Sequence, residues 1–116
     1  MEAKELNRLL IDRFPELEKK YHDEVDWQEG NETGSHVVYG DVLAPYLEAA
    51  VAQNNQEVLK KIFVFVEEIL CQNEDYSDEV IMFSVLERIL YDKEQVQNCR
   101  KYFGKRTEKV IREMRQ

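Results

Sequence analysis

Two segments in the middle of this chain dictate its architecture. Between Gln56 and Cys71, apolar side chains recur as two adjoining helical stripes, Val58, Ile62, Phe65, Ile69 and Leu59, Phe63, Val66, Leu70. Together they cover more than the ~100° apolar face of a surface helix, so this element must be touched on several sides. From Ser77 or Asp78 to Tyr91 the pattern returns with Val80, Ile81, Met82, Phe83, Val85, Leu86, Ile89 and Leu90. Neither segment contains Gly or Pro. β-Branched residues lower the intrinsic helix propensity of both, but the 3.6-residue period and burial override it.

The flanking segments are shorter and amphipathic. Leu6, Leu9 and Leu10 line one face of Ala3–Arg13, and Pro15 ends that helix while suiting the first turn of the next. The second helix, to about Trp27, carries Leu17, Tyr21 and Val25 on one side. Residues 29–35 are the long polar, Gly-containing stretch and read as a mobile loop. His36–Tyr39 suits either a short extended piece or an early helical turn. Gly40-Asp41 then reads as a helix start, with Asp41 capping and Pro45 in the first turn. Leu43, Tyr46, Leu47, Ala50 and Val51 form its buried stripe, and Gln53-Asn54-Asn55 its closing turn. After a turn at Asp92-Lys93, residues 94–103 bury Val96, Cys99, Tyr102 and Phe103, with Gly104 as a left-handed stop. A last helix over 106–115 buries Val110, Ile111 and Met114. The fold class is therefore all-α. About six antiparallel helices form a compact bundle or short HEAT-like superhelix around the central helices 56–71 and 78–91.

At 116 residues with 43% apolar side chains, the chain 1–116 reads as a single helical domain with one core, needing neither disulfides nor metal. The longest apolar run, Ile62–Val66, is far short of the ~20 residues that span a bilayer, and the charged N-terminus lacks a signal-peptide core. Cys71 and Cys99 both fall in helical apolar patterns and read as reduced core thiols. The expected compartment is the cytoplasm, with no membrane partner.

Charge is distributed unevenly. Through Asp92 there are 8 Lys and Arg against 21 Asp and Glu, a balance of −13; from Lys93 onward there are 8 against 3, a balance of +5. An acidic body favours cationic partners and disfavours phosphate backbones, so no nucleic acid is expected.

Catalytic and ligand motifs are missing. Glu18 and His22 lie one helical turn apart, but no second Glu/His pair completes a metal cage and HExxH is absent. His36 could act as a base, yet no nucleophile is placed beside it in sequence except Ser35. The acidic stretch 73–79 lacks the alternating oxygens and central Gly of a calcium loop. No Gly-rich phosphate motif occurs. The expectation is no enzyme, no cofactor and no metal.

Four elements, Leu10-Ile11-Asp12-Arg13-Phe14-Pro15-Glu16-Leu17, Val38-Tyr39-Gly40-Asp41 with Pro45, Ser84-Val85-Leu86-Glu87 and Lys101-Tyr102-Phe103-Gly104, span nearly the whole chain. In these it resembles a family of small bacterial helical proteins that includes immunity-type proteins of polymorphic toxin systems. The resemblance implies an all-helical, HEAT-like fold and a non-enzymatic role, and it carries over no binding residues. The expected function is that of an immunity protein neutralising a cognate, cationic toxin domain; the alternative is a regulatory or adaptor module. The chain would be a monomer or homodimer. Acidity steers association with a cationic partner and bulky rings slow release. The candidate contacts are accordingly Glu24, Asp26, Trp27, Glu29 and Glu32, with Asp75, Tyr76 and Asp78 before the fifth helix.

Overall fold

A computed structural model describes residues 1–115. Helix α1 (Ala3–Arg13) stops where Phe14, pushed out of the helical region before Pro15, turns the chain. A 3-10 turn at Pro15–Leu17 leads into α2 (Glu18–Val25), which ends short of Trp27. Helix α3 spans 35–52 and contains a π-helical turn, Tyr39–Leu43. Helix α4 is Gln56–Leu70, and α5 spans 75–90 with a second π turn at Ile81–Leu86. Helix α6 (Lys93–Cys99) tightens into a 3-10 turn, Arg100–Tyr102, and α7 is Lys105–Met114. The described residues thus form seven helices and no strand, an all-α bundle measuring 37 × 31 × 21 Å. No helix among them is long and apolar enough to cross a membrane.

The doubled stripe of α4 does what its pattern requires. Leu59, Ile62, Phe63, Phe65, Val66, Ile69 and Leu70 are all buried. Asn55 caps the helix by accepting the Val58 N–H at 3.3 Å. Phe65 meets Phe14 edge-on at 5.4 Å and stacks on Tyr39 at 6.3 Å, arrangements that aromatic quadrupoles favour. The Tyr39 hydroxyl donates to the Leu6 carbonyl at 2.6 Å, so the core ring also fixes α1. Helix α5 is less enclosed than its composition suggests. Its π turn directs Ile81, Ser84, Val85 and Leu86 inward, while Phe83 stays 53% exposed.

Asp41 does not start a helix, and Pro45 does not lie in a first turn. The helix begins at Ser35, and Asp41 falls inside its π turn. Pro45 explains the widening: in a regular α-helix its ring would press on the Asp41 carbonyl. The chain adds a residue to the turn instead, and the Ala44 N–H reaches back to Tyr39. This leaves the Gly40 carbonyl without a helical donor, because Pro45 has no N–H to offer. Arg88 of α5 fills the vacancy, donating from Nη2 to Gly40 at 3.0 Å and from Nη1 to Glu48 at 3.2 Å. The two π turns therefore pack against each other, joined by a guanidinium.

Gly104 is not a left-handed stop either. Its backbone is extended (φ −77°, ψ 174°), and it occupies the N-cap position of α7. The cap itself comes from α4. Glu67 accepts the Thr107 N–H at 2.8 Å, the Arg106 N–H at 3.0 Å and the Thr107 hydroxyl at 2.7 Å. A carboxylate at a helix N-terminus also complements the helix dipole. Any Cβ on residue 104 would lie 2.2 Å from Glu67 Cδ and would push the carboxylate off its cap, so glycine leaves room for it. Of the two cysteines, Cys99 is buried as expected. Cys71 is exposed, one residue beyond the last turn of α4.

Loss of water raises the Glu67 carboxyl pKa, but the donors from Thr107 and Arg106 outweigh it and hold the pKa below its ordinary 4.5. Its contribution to stability is thus fully present above that value and lost as pH falls through the lowered one. Glu67→Ala is expected to cost about 1–2 kcal/mol in urea unfolding at neutral pH, with the difference shrinking in acid. Gly104→Ala should cost a similar ~1–2 kcal/mol alone but little in the Glu67→Ala background, where the cap it displaces is already gone.

Candidate functional site

The polar stretch 29–35 is held in place rather than free. Its anchor is Asn7, a buried polar residue of α1. The Asn7 amide donates to the Thr33 carbonyl at 2.7 Å and the Asn31 carbonyl at 3.2 Å, and its oxygen accepts the Ser35 hydroxyl at 2.8 Å. Tyr21 donates to the Asn31 side chain at 3.0 Å, and the Glu29 N–H is taken up by the Thr33 hydroxyl at 3.3 Å. With its inward groups so satisfied, the stretch forms a 3-10 turn, Gly30–Glu32, whose acids face water. Gly30 adopts a left-handed φ of +61°, which glycine tolerates without strain.

The first candidate cluster lies on this edge. Trp27 is 74% exposed, in the turn after α2, and contributes nothing to the core. Asp26, Glu29 and Glu32 are exposed around it in sequence. Asp26 lies 3.3 Å from His22 Nδ1, and Glu18 lies 3.9 Å from Nε2 of the same ring. Glu24 is half-buried and meets Asp41 of the α3 π turn. Their shared hydrogen bond, loss of water and like charge together raise the Glu24 pKa. Asp41 therefore belongs to the acidic edge. Periodicity could not reveal this, because only the widened turn brings it to α2.

The second cluster divides. Tyr76 is joined to the first, since its hydroxyl accepts the Ser35 N–H at 3.0 Å and its ring meets His36 edge-on at 5.9 Å. Asp75 is exposed one residue before it. Asp78 turns away. Its Oδ1 is shielded from water and has no hydrogen-bond partner among the described residues, and desolvation raises its pKa against the opposing charge of Arg106. Arg106 in turn donates to Asn73 at 2.9 Å. Asp78 thus faces the basic α7, and Asp75 is close enough for its charge to act on Asp78, while the other six candidates lie on or beside the acidic edge.

One contact was hidden by sequence separation. His36 Nδ1 hydrogen-bonds the Ser84 hydroxyl at 3.0 Å, so the histidine does have a hydroxyl beside it. Ser84 sits mid-helix in the π turn of α5, among the residues packed against α3. The pair fastens the two helices one turn from the Arg88–Gly40 contact. No third group orients the other ring nitrogen among the described hydrogen bonds, unlike a hydrolytic triad. Nor do three or more His, Cys, Asp or Glu side chains converge as metal ligands among the described residues. The edge offers charge, one exposed indole and a phenol, which is equipment for contact with a macromolecule.

Residues 7–116 match the family described as "Domain of unknown function (DUF7674)", and the chain belongs to that family. No curated protein and no solved structure matches it, so no comparison connects the bundle to a HEAT-like superhelix.

Because the Glu24 pKa is raised in the folded state, ionising it beside Asp41 opposes folding as pH rises through that value. Asp41→Asn is expected to raise the thermal unfolding midpoint at neutral pH. The gain should vanish in acid, where Glu24 is protonated in folded and unfolded chains alike. Melts followed by circular dichroism at both pH values check this.

Proposed function

We propose that this chain is a non-enzymatic, immunity-type protein that binds and neutralises a cognate cationic bacterial toxin domain in the cytoplasm. The observation that carries the reading is Trp27, an indole 74% exposed in a stretch that also holds Glu24, Asp26, Glu29 and Glu32. Exposing so large an apolar ring gives the isolated fold no stability, whereas burying it against a partner contributes affinity. The surrounding carboxylates would raise the encounter rate with a basic surface, such as that of a nuclease, and disfavour acidic competitors. Trp27 and Tyr76 would then be desolvated in the complex and slow its dissociation. Anchoring by Asn7 supports this reading, since a preorganised edge loses less entropy on binding than a free loop.

The second reading is a regulatory or adaptor helical module. The exposed apolar side chains of α5 favour it, because they offer a surface unrelated to the acidic edge.

The decisive experiment is co-expression and co-purification with the product of the adjacent gene. The complex should be retained, and cells making that product should be protected. Trp27→Ala should weaken the complex by about 2 kcal/mol, chiefly through faster dissociation. The triple variant Asp26→Asn, Glu29→Gln, Glu32→Gln should instead slow association and flatten its salt dependence. No retained partner together with no protection would remove the immunity reading.

A further inference from the structure

Trp27 is not the only large apolar side chain in water. Phe83 is 53% and Tyr91 82% exposed, and both line one groove between the end of α5 and the last turn of α7. Met82, Leu90 and Met114 form its apolar walls. The π turn of α5 accounts for this exposure: Ile81 and residues 84–86 turn inward, leaving Met82 half-buried and Phe83 in the open. Two flexible methionines beside two projecting rings make a surface that can both receive a side chain and insert one.

The charges around the groove are mixed. Glu87, Lys93 and Arg115 all line it. None of the three forms an ion pair among the described residues. At its acidic edge the chain repels its own copies. Through Asp92 it carries the −13 balance, and two molecules meeting at Trp27 would bring Glu24, Asp26, Glu29 and Glu32 against themselves. At the groove the opposite holds: its lining carries both signs, so Glu87 of one copy has Lys93 and Arg115 of the other as cationic partners. Isologous contacts require such self-complementarity.

We infer that this groove is the interface for a second copy of the chain, forming a two-fold dimer through Phe83 and Tyr91. In that dimer the rings of one copy enter the methionine-lined groove of the other, and the acidic edges, which use only the opposite end of α5 at Tyr76, stay free. The Trp27 site is not part of the contact, so the dimer stands or falls separately from toxin binding.

Sedimentation equilibrium of the full chain over a range of concentrations tests this. The wild type should associate to a dimer. Phe83→Glu and Tyr91→Glu should each weaken it by roughly tenfold or more, with the helical circular dichroism spectrum unchanged. Trp27→Ala should leave the dimer intact. Glu87→Lys should also weaken it, and the added change Lys93→Glu with Arg115→Glu should restore it by reversing both sides of the pairing. Three results would overturn the inference: a monomer at every concentration, a dimer indifferent to Phe83→Glu and Tyr91→Glu, or a dimer dissolved by Trp27→Ala. A monomeric chain whose groove binds an amphipathic peptide would likewise overturn it and assign the surface to a foreign helix.

Discussion

Pro45 lacks one hydrogen, and much of the molecule is arranged around that lack. Its ring widens the helix into a π turn, and in that register the Gly40 carbonyl faces Pro45, which has no N–H to give; an unpaired buried carbonyl costs about 1–3 kcal/mol. Arg88 answers the problem by donating to that carbonyl. Arg88 can reach Gly40 only if α5 lies close alongside α3, and His36–Ser84 fastens the same pair one turn away. With α5 so placed, Tyr76 meets the Ser35 N–H, bringing the start of α5 up to the polar edge. The widened turn also carries Asp41 to Glu24. A backbone constraint in the interior thus shapes an electrostatic feature of the surface.

Glu67 performs the matching task at the other end. The acidic body and the basic C-terminal segment differ in charge but are not held by charge alone. A carboxylate from α4 takes up the free N–H groups of the last helix, with glycine leaving space for it. Charge-assisted bonds of this kind are stronger than neutral ones and fix direction as well as distance.

What was legible in the sequence follows from the range of each interaction. Helix α4 could be read in full because its burial pattern is local and unbroken, and Asn55 and Asn54 mark the turn before it, the latter with a left-handed φ of 51°. Pro45 and Gly104 were misplaced because both residue types have a common local meaning, a first turn and a helix stop. Their actual roles depend on Arg88 and Glu67, far away along the chain. The acidic character of 24–32 was plain from composition, but its membership was not: Asp41 joined and Asp78 turned away, both through packing that no periodicity encodes. The 29–35 stretch read as mobile from its polarity, and only Asn7, an ordinary polar residue within an apolar helix, shows why it is held.

The position of Trp27 has a spectroscopic corollary. As the single tryptophan, standing in water in the folded chain, it should already emit at the long wavelengths of a hydrated indole. Unfolding would then shift its emission little, leaving core collapse nearly invisible to intrinsic fluorescence. Covering by another molecule would move the same band to the blue, so this fluorophore is blind to the fold and sensitive to company.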